Sequence, residues 1–178
     1  MTPSPLRSEG LLLRPFEEAD AGAFAEAVRE SVASIRPWMA WATPDYSVEQ
    51  ALEWFAVCRA WHRAETALEL GLFCPDSGRL LGGAGLNEIR DDPRFCNLGY
   101  WVRQSAQGQG IATRCVHALA GHGFTRLALQ RIEIVVAVGN RASERVARKC
   151  GALHEGIARN RLAIDGRALD AHMFSLVP

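Results

Sequence analysis

The segment Gln104-Ser105-Ala106-Gln107-Gly108-Gln109-Gly110-Ile111-Ala112-Thr113 is the part of this chain whose residue types and spacing point most directly to chemistry. Its glycines stand just before a run in which Ile111, Ala112, Cys115, Val116, Leu119, Ala120 and Phe124 recur with a helical period. Free N–H groups at a helix start, with the positive end of the macrodipole behind them, attract anions, and glycine lets a phosphate approach without a Cβ in the way. A phosphate-bearing ligand is therefore expected. A Walker loop does not fit, because Gly110 is followed by Ile111 and Lys149 is the one lysine in the chain. A dinucleotide fingerprint fits poorly, because Thr113 stands where its third glycine should be and Glu133 would lie at the wrong end of its strand. A glycine turn that merely starts a helix also remains open. No metal site is expected: His117 and His122 are five apart, and Cys58, Cys74, Cys96, Cys115 and Cys150 never fall in a CxxC spacing.

The elements that must position this loop follow from hydropathy patterning within 178 residues, a length that suits one globular domain spanning 1–178. Leu11 to Pro15 reads as a short strand, and Asp20 as the cap of a helix with Phe24, Ala25 and Val28 inward. Ser47-Val48-Glu49-Gln50 reads as a capping box for a second helix burying Trp54, Phe55, Cys58 and Trp61. Leu68 to Cys74, Leu80 to Ile89 and Phe95 to Arg103 are extended stretches separated by Pro75–Gly78 and by Arg90-Asp91-Asp92-Pro93, which predicts an antiparallel meander. After the helix at Gly110 to Leu127 comes the β-branched stretch Ile132 to Val138, so strand, helix and strand make a right-handed crossover between parallel neighbours. Asn140 can cap a short helix ending at Gly151, and Asp165-Gly166 is a hairpin turn between Leu153–Ile164 and Ala168–Val177. The expected fold class is mixed α/β: a mostly antiparallel central sheet of about seven strands with about four flanking helices and one parallel crossover.

Composition narrows the partners. Lys+Arg 20 against Asp+Glu 20 gives zero net charge, which argues against a dedicated nucleic-acid binder. The charge is uneven: residues 1–125 hold 11 basic and 15 acidic groups and the remainder 9 and 5, so an Arg-rich final third could receive phosphates. No apolar run approaches a bilayer span, Met1 to Glu9 lacks a leader pattern, and unpaired cysteines suit a reducing compartment, so a cytoplasmic location is expected.

Gln107-Gly108-Gln109-Gly110-Ile111-Ala112 matches Gln/Arg-x-x-Gly-x-Gly/Ala at every fixed position. With it stand Asn97-Leu98-Gly99-Tyr100-Trp101-Val102, Asn140-Arg141-Ala142-Ser143, Ala147–Gly151, Leu12–Pro15 and Ile35–Trp38 in consistent order. In this set of blocks, which covers nearly the whole chain, the sequence resembles the GNAT superfamily of N-acetyltransferases, and within it the RimJ/RimL-type branch that acetylates α-amino groups of ribosomal proteins. The resemblance implies an enzyme that binds acetyl-coenzyme A as co-substrate and needs no metal. The amides of Gly108 to Thr113 would hold the pyrophosphate, with Gln107 and Gln109 in the same loop. The pantetheine arm would lie beside Trp101 and Val102, between the strand at Gly99–Arg103 and that at Ile132–Val138. A bulge near Tyr100–Val102 would splay these strands and aim the Val102 N–H at the thioester carbonyl as an oxyanion donor. Asn140 and Ser143 match the family's Asn-x-x-Ser near the thiol, with Ser143 able to donate to the departing thiolate, although a cap and a first-turn serine would look the same. Tyr100 and Glu88 are further catalytic candidates, Glu88 as a base. Trp38, Trp41 and Asn97 are candidates for the acceptor side. Asn97 stands where this branch often carries an acid. The acceptor implied is a protein α-amino terminus, with a small-molecule amine such as a polyamine or antibiotic as the alternative, a non-catalytic acyl-CoA-binding module as another, and a homodimer as the assembly to test.

Overall fold

The computed structural model describes residues 4–92 and 94–178; Met1 to Pro3, and Pro93 of the expected turn, lie outside the described residues. A single eight-stranded sheet organises the chain, comprising β1 (Leu6–Ser8), β2 (Leu11–Arg14), β3 (Leu68–Phe73), β4 (Leu80–Asp91), β5 (Arg94–Val102), β6 (Arg131–Ala137), β7 (Leu153–Ile164) and β8 (Arg167–Leu176). Their order is β1-β2-β3-β4-β5-β6-β8-β7, antiparallel throughout except for the parallel pair β5–β6. One strand more than expected is present: β1 has only three residues, too few to show a period, and it is fixed by pairing with β2.

Helices α1 (Ala21–Ile35) and α2 (Val48–Ala64) cover one face, packing Phe24, Val28, Ile35, Phe55 and Cys58 against Phe16, Phe73 and Leu80. Helices α3 (Ile111–Arg126) and α4 (Arg141–Lys149) cover the other, where Cys115, Val116, Leu119 and Ala147 meet Leu70, Leu86, Leu98 and Ile134. The Ser47–Gln50 capping box forms in both directions, at 3.2 and 2.9 Å. Three details differ from expectation. Asp20 does not cap α1; its carboxylate pairs with Arg14 at 2.7 and 2.8 Å and accepts the Glu17 N–H. Trp61 is exposed and meets half-buried Trp54 edge-to-face, because α2 buries its Ala51–Phe55–Cys58 stripe and Trp61 falls outside it. The expected bulge at Tyr100–Val102 is absent: the β4–β5 ladder is regular from Asn97 to Val102, and its irregularity lies between Asn87 and Arg90.

Candidate active site

The splaying comes from the other side of β5. Strands β5 and β6 pair only at Phe95, Cys96 and Asn97, opposite Arg131 to Glu133, and then part. Arg103 N–H donates to Leu81 O at 2.8 Å, which places the odd-numbered residues of β5 in the hydrogen-bonding positions toward β4. By the alternation of an antiparallel ladder, the amides of Tyr100 and Val102 point the opposite way, into the gap. Divergence from β6 rather than a bulge thus exposes the Val102 N–H.

The gap opens into a cleft of about 650 Å³ running from the start of α3 to the end of α1. At one end β5 passes through a single 3₁₀ turn, Gln104–Ala106, into Gly108 and Gly110, both at positive φ (76° and 75°), and then α3. This conformation favours glycine. Helices α2 and α4 begin with side-chain caps from Ser47 and Asn140, whereas α3 begins on Gly110 and has none. The first amides of α3 are left for an acceptor from outside the chain, which is what a pyrophosphate requires. Gly108, Gly110, Ile111, Ala112 and Thr113 line the cleft, as do Trp101, Val102, Asn140 and Ser143. Gln107 lines it too, donating to Val102 O and Ser34 Oγ at 3.0 Å each. Gln109 does not; its amide turns back to Ser105 O at 3.4 Å. Arg145 and Lys149 stand along the same cleft and bring positive charge to it.

The loop is held from behind by contacts that sequence reading did not find. Arg103 is buried and donates to Glu30 and Glu26 of α1, with a further bond to Leu80 O at 3.2 Å. The other Glu30 oxygen accepts the Ser105 N–H at 2.8 Å, and Ser31 Oγ accepts the Gln104 N–H at 2.9 Å. The Arg103 guanidinium holds the Glu30 carboxyl down at about 2. An i, i+4 acid pair such as Glu26/Glu30 reads in sequence as a solvated helix face, and nothing in its spacing points to Arg103.

Deeper in the cleft the Tyr100 hydroxyl lies 2.9 Å from Ser143 Oγ and 3.3 Å from Ser143 O. Asn140 caps α4 by accepting the Ser143 N–H at 3.2 Å, which fixes that serine. Burial pushes the Tyr100 phenol up to about 12, so it stays protonated at neutral pH. Glu88, at φ 52° in the β4 irregularity, is exposed at the rim, while Trp38 and Asn97 line the same cleft half-buried. Trp41 lies elsewhere, in a second cavity of about 350 Å³ on the α1–α2 face that meets the cleft at Met39, Gly99, Tyr100 and Trp101. No group of His, Cys, Asp or Glu suited to a metal ion occurs among the described residues.

Residues 10–153 match the model of the acetyltransferase (GNAT) domain. This chain belongs to the GNAT family. The "Putative ribosomal N-acetyltransferase YdaF" of Bacillus subtilis is 30% identical over 173 residues, which are 96% of this chain and 92% of that protein. The ribosomal protein uS5-alanine N-acetyltransferase of Escherichia coli is 27% identical over 93% of this chain and 86% of its own. A solved structure of RimL, the ribosomal L7/L12 α-N-protein acetyltransferase in complex with coenzyme A, superposes with a TM-score of 0.86 at 26% identity, covering 98% of each chain. The protein is thus a GNAT acetyl-CoA-dependent N-acetyltransferase of the RimJ/RimL-like kind, and its uncapped α3 and splayed strands fit that co-substrate.

Proposed function

We propose that residues 1–178 act as one domain that acetylates protein N-terminal α-amino groups. The observation that carries this reading is the second cavity meeting the cleft at Gly99–Trp101, with room for a chain end and not for a folded surface. The relatives named for uS5 alanine and for L7/L12 support it. Acetyl-CoA supplies the activated acetyl group. The amides of Gly108 to Thr113 hold its pyrophosphate, with Gln107 bracing the loop and Gln109 contributing backbone alone. Trp101 and Val102 flank the pantetheine arm, and the Val102 N–H meets the charge that develops on the thioester oxygen. Tyr100 and Ser143 donate a proton to the departing thiolate, and Asn140 keeps Ser143 in place. Trp38 and Asn97 face the acceptor from the cleft, and Trp41 from the second cavity. We assign Glu88 no part in proton removal, since its rim position leaves it in water. Reduced cysteines and the absence of any helix long and apolar enough to cross a membrane among the described residues are consistent with a cytoplasmic enzyme. A homodimer is the assembly we expect.

The test is a turnover screen with free-thiol detection, using peptides with free or blocked N-termini, internal lysines and small amines, with mass spectrometry to locate the acetyl group. Acetylation of free N-termini alone supports the reading. Turnover of a diamine and of no peptide would assign the same cavity to a small-molecule amine.

A further inference from the structure

The second cavity contains one acid that the reading above leaves unused. Glu69 on β3, Gly85 on β4 and Gly99 on β5 are in register on adjacent strands and share the face toward α1 and α2. The two glycines clear a lane across the sheet, and the Glu69 side chain lies along it: a Cβ added at Gly85 would fall inside the Glu69 carboxylate. Neighbouring strands are about 4.8 Å apart, so a carboxylate above β4 is about 5 Å from Gly99, just beyond the point where β6 leaves β5. That interval holds one nitrogen, about 3 Å from the carboxylate and about 3 Å from a carbonyl carbon seated in the gap.

We propose that this cavity binds the acceptor as a primary ammonium and that Glu69 takes the proton from its nitrogen; the proposal rests on the acetyltransferase reading and deepens it. Trp41, Trp54, Trp101, Tyr46 and Phe24 wall the cavity, and aromatic faces attract a cation while covering its alkyl stem. Asn87 Nδ2 donates to Glu69 Oε1 at 3.0 Å, and Asn97 Nδ2 donates to Asn87 Oδ1 at 2.9 Å, which orients the carboxylate and leaves Oε2 for a ligand. Among the described residues no arginine or lysine pairs with Glu69. The ionisable groups around it are the Cys58 thiol of α2 and the Cys115 thiol of α3, both raised by burial, Tyr46 and Tyr100 on the cavity wall, each raised to about 12, and His62 of α2, whose ring meets only the Glu69 backbone at 2.9 and 3.0 Å. A carboxylate so placed lacks a counter-ion, and burial raises its pKa toward that of the amine it must deprotonate.

The reaction balances. The ammonium gives one proton to Glu69, and the freed lone pair forms the C–N bond to the acetyl carbon. The C–S bond breaks with its electron pair going to sulfur. The thiolate takes a proton from the Tyr100–Ser143 hydroxyls, which recover it from the nitrogen, and Glu69 releases its proton to water.

The experiment measures kcat/KM against pH for wild type and Glu69→Gln on whichever amine the screen finds active, with acetyl-CoA affinity by calorimetry alongside. On an α-amino acceptor, wild type is expected to hold a plateau between the burial-raised pKa of Glu69 and the amine's pKa of roughly 7.7–8.0, and to fall on the acid side of that plateau. The variant should rise about tenfold per pH unit over that range, with kcat down about 100-fold or more at neutral pH and acetyl-CoA affinity unchanged. Gly85→Ala, which displaces the carboxylate and keeps its charge, should repeat the pattern, so a misfolded Glu69→Gln protein does not end the test. Matching wild-type and variant profiles with kcat within threefold would overturn the role of Glu69. Activity on a diamine and on no peptide overturns the peptide acceptor alone, and Glu69 is then judged on the diamine. A wild type that binds acetyl-CoA and turns over no amine overturns both.

Discussion

Replacing Glu30 with glutamine removes the carboxylate that joins Arg103 to the phosphate loop, and its cost should depend on pH in a defined way. The Glu30 pKa is held at about 2, against an ordinary value of 4.5. At 1.36 kcal/mol per pH unit that difference corresponds to about 3 kcal/mol, which screening reduces to about 2 kcal/mol because the side chain is 28% exposed. Removing one partner of a pair whose arginine is 5% exposed works in the same direction, partly offset because Glu26 remains. A depressed carboxylate pKa contributes stability that is fully present above 4.5 and is lost as pH falls toward 2. Urea unfolding of both proteins at several pH values should give a gap of about 2 kcal/mol at pH 7 that closes between about 4.5 and 2. Acetyl-CoA affinity should fall several-fold at pH 7, since the Ser105 amide loses its carboxylate acceptor. A stability gap that stays constant down to pH 2.5 would refute the electrostatic account and leave only a packing effect.

Gly110→Asp should weaken acetyl-CoA binding at least tenfold by calorimetry, because a carboxylate would stand beside the amides of α3 at a backbone φ of 75°. Ser143→Ala should lower kcat about tenfold with little change in KM for acetyl-CoA, since the hydroxyl acts on charge present only in the transition state; an unchanged kcat with a lowered Tm would return Ser143 to a helix-start role. Glu88→Gln should leave the pH profile of kcat as in wild type, and loss of an acidic inflection there would transfer the base role from Glu69 to Glu88.

What the sequence disclosed and what it concealed divide along the range of the interactions. Ser47 and Gln50, Asn140 and Ser143, and Asp165-Gly166 act on backbone within three residues, so their spacing alone announced the helix starts and the hairpin. The Gly108–Thr113 loop was legible for the same reason. Glu69 was not: within Leu68–Phe73 it looks like an acid on a strand's solvent face, and its setting arises from glycines on two other strands that only the register brings beside it. Likewise the opening at Tyr100 follows from where β6 leaves β5, a property of neither strand's own pattern.

The parting of β5 from β6 also puts an unpaired strand edge in the middle of the sheet, where its donors and acceptors would serve as a template for a foreign chain. An outer edge is commonly protected by charge, proline or shortness; this one is flanked by neighbouring segments. The turn after α1 and the β7–β8 hairpin close over it, tied by Arg36 and Asp165 at 3.3 Å, and Trp38 and Leu162 come to the cleft from those two segments. Between these two segments the cleft takes a narrow, flexible arm. The same contacts that shape the cleft therefore guard the folded protein against cross-strand aggregation.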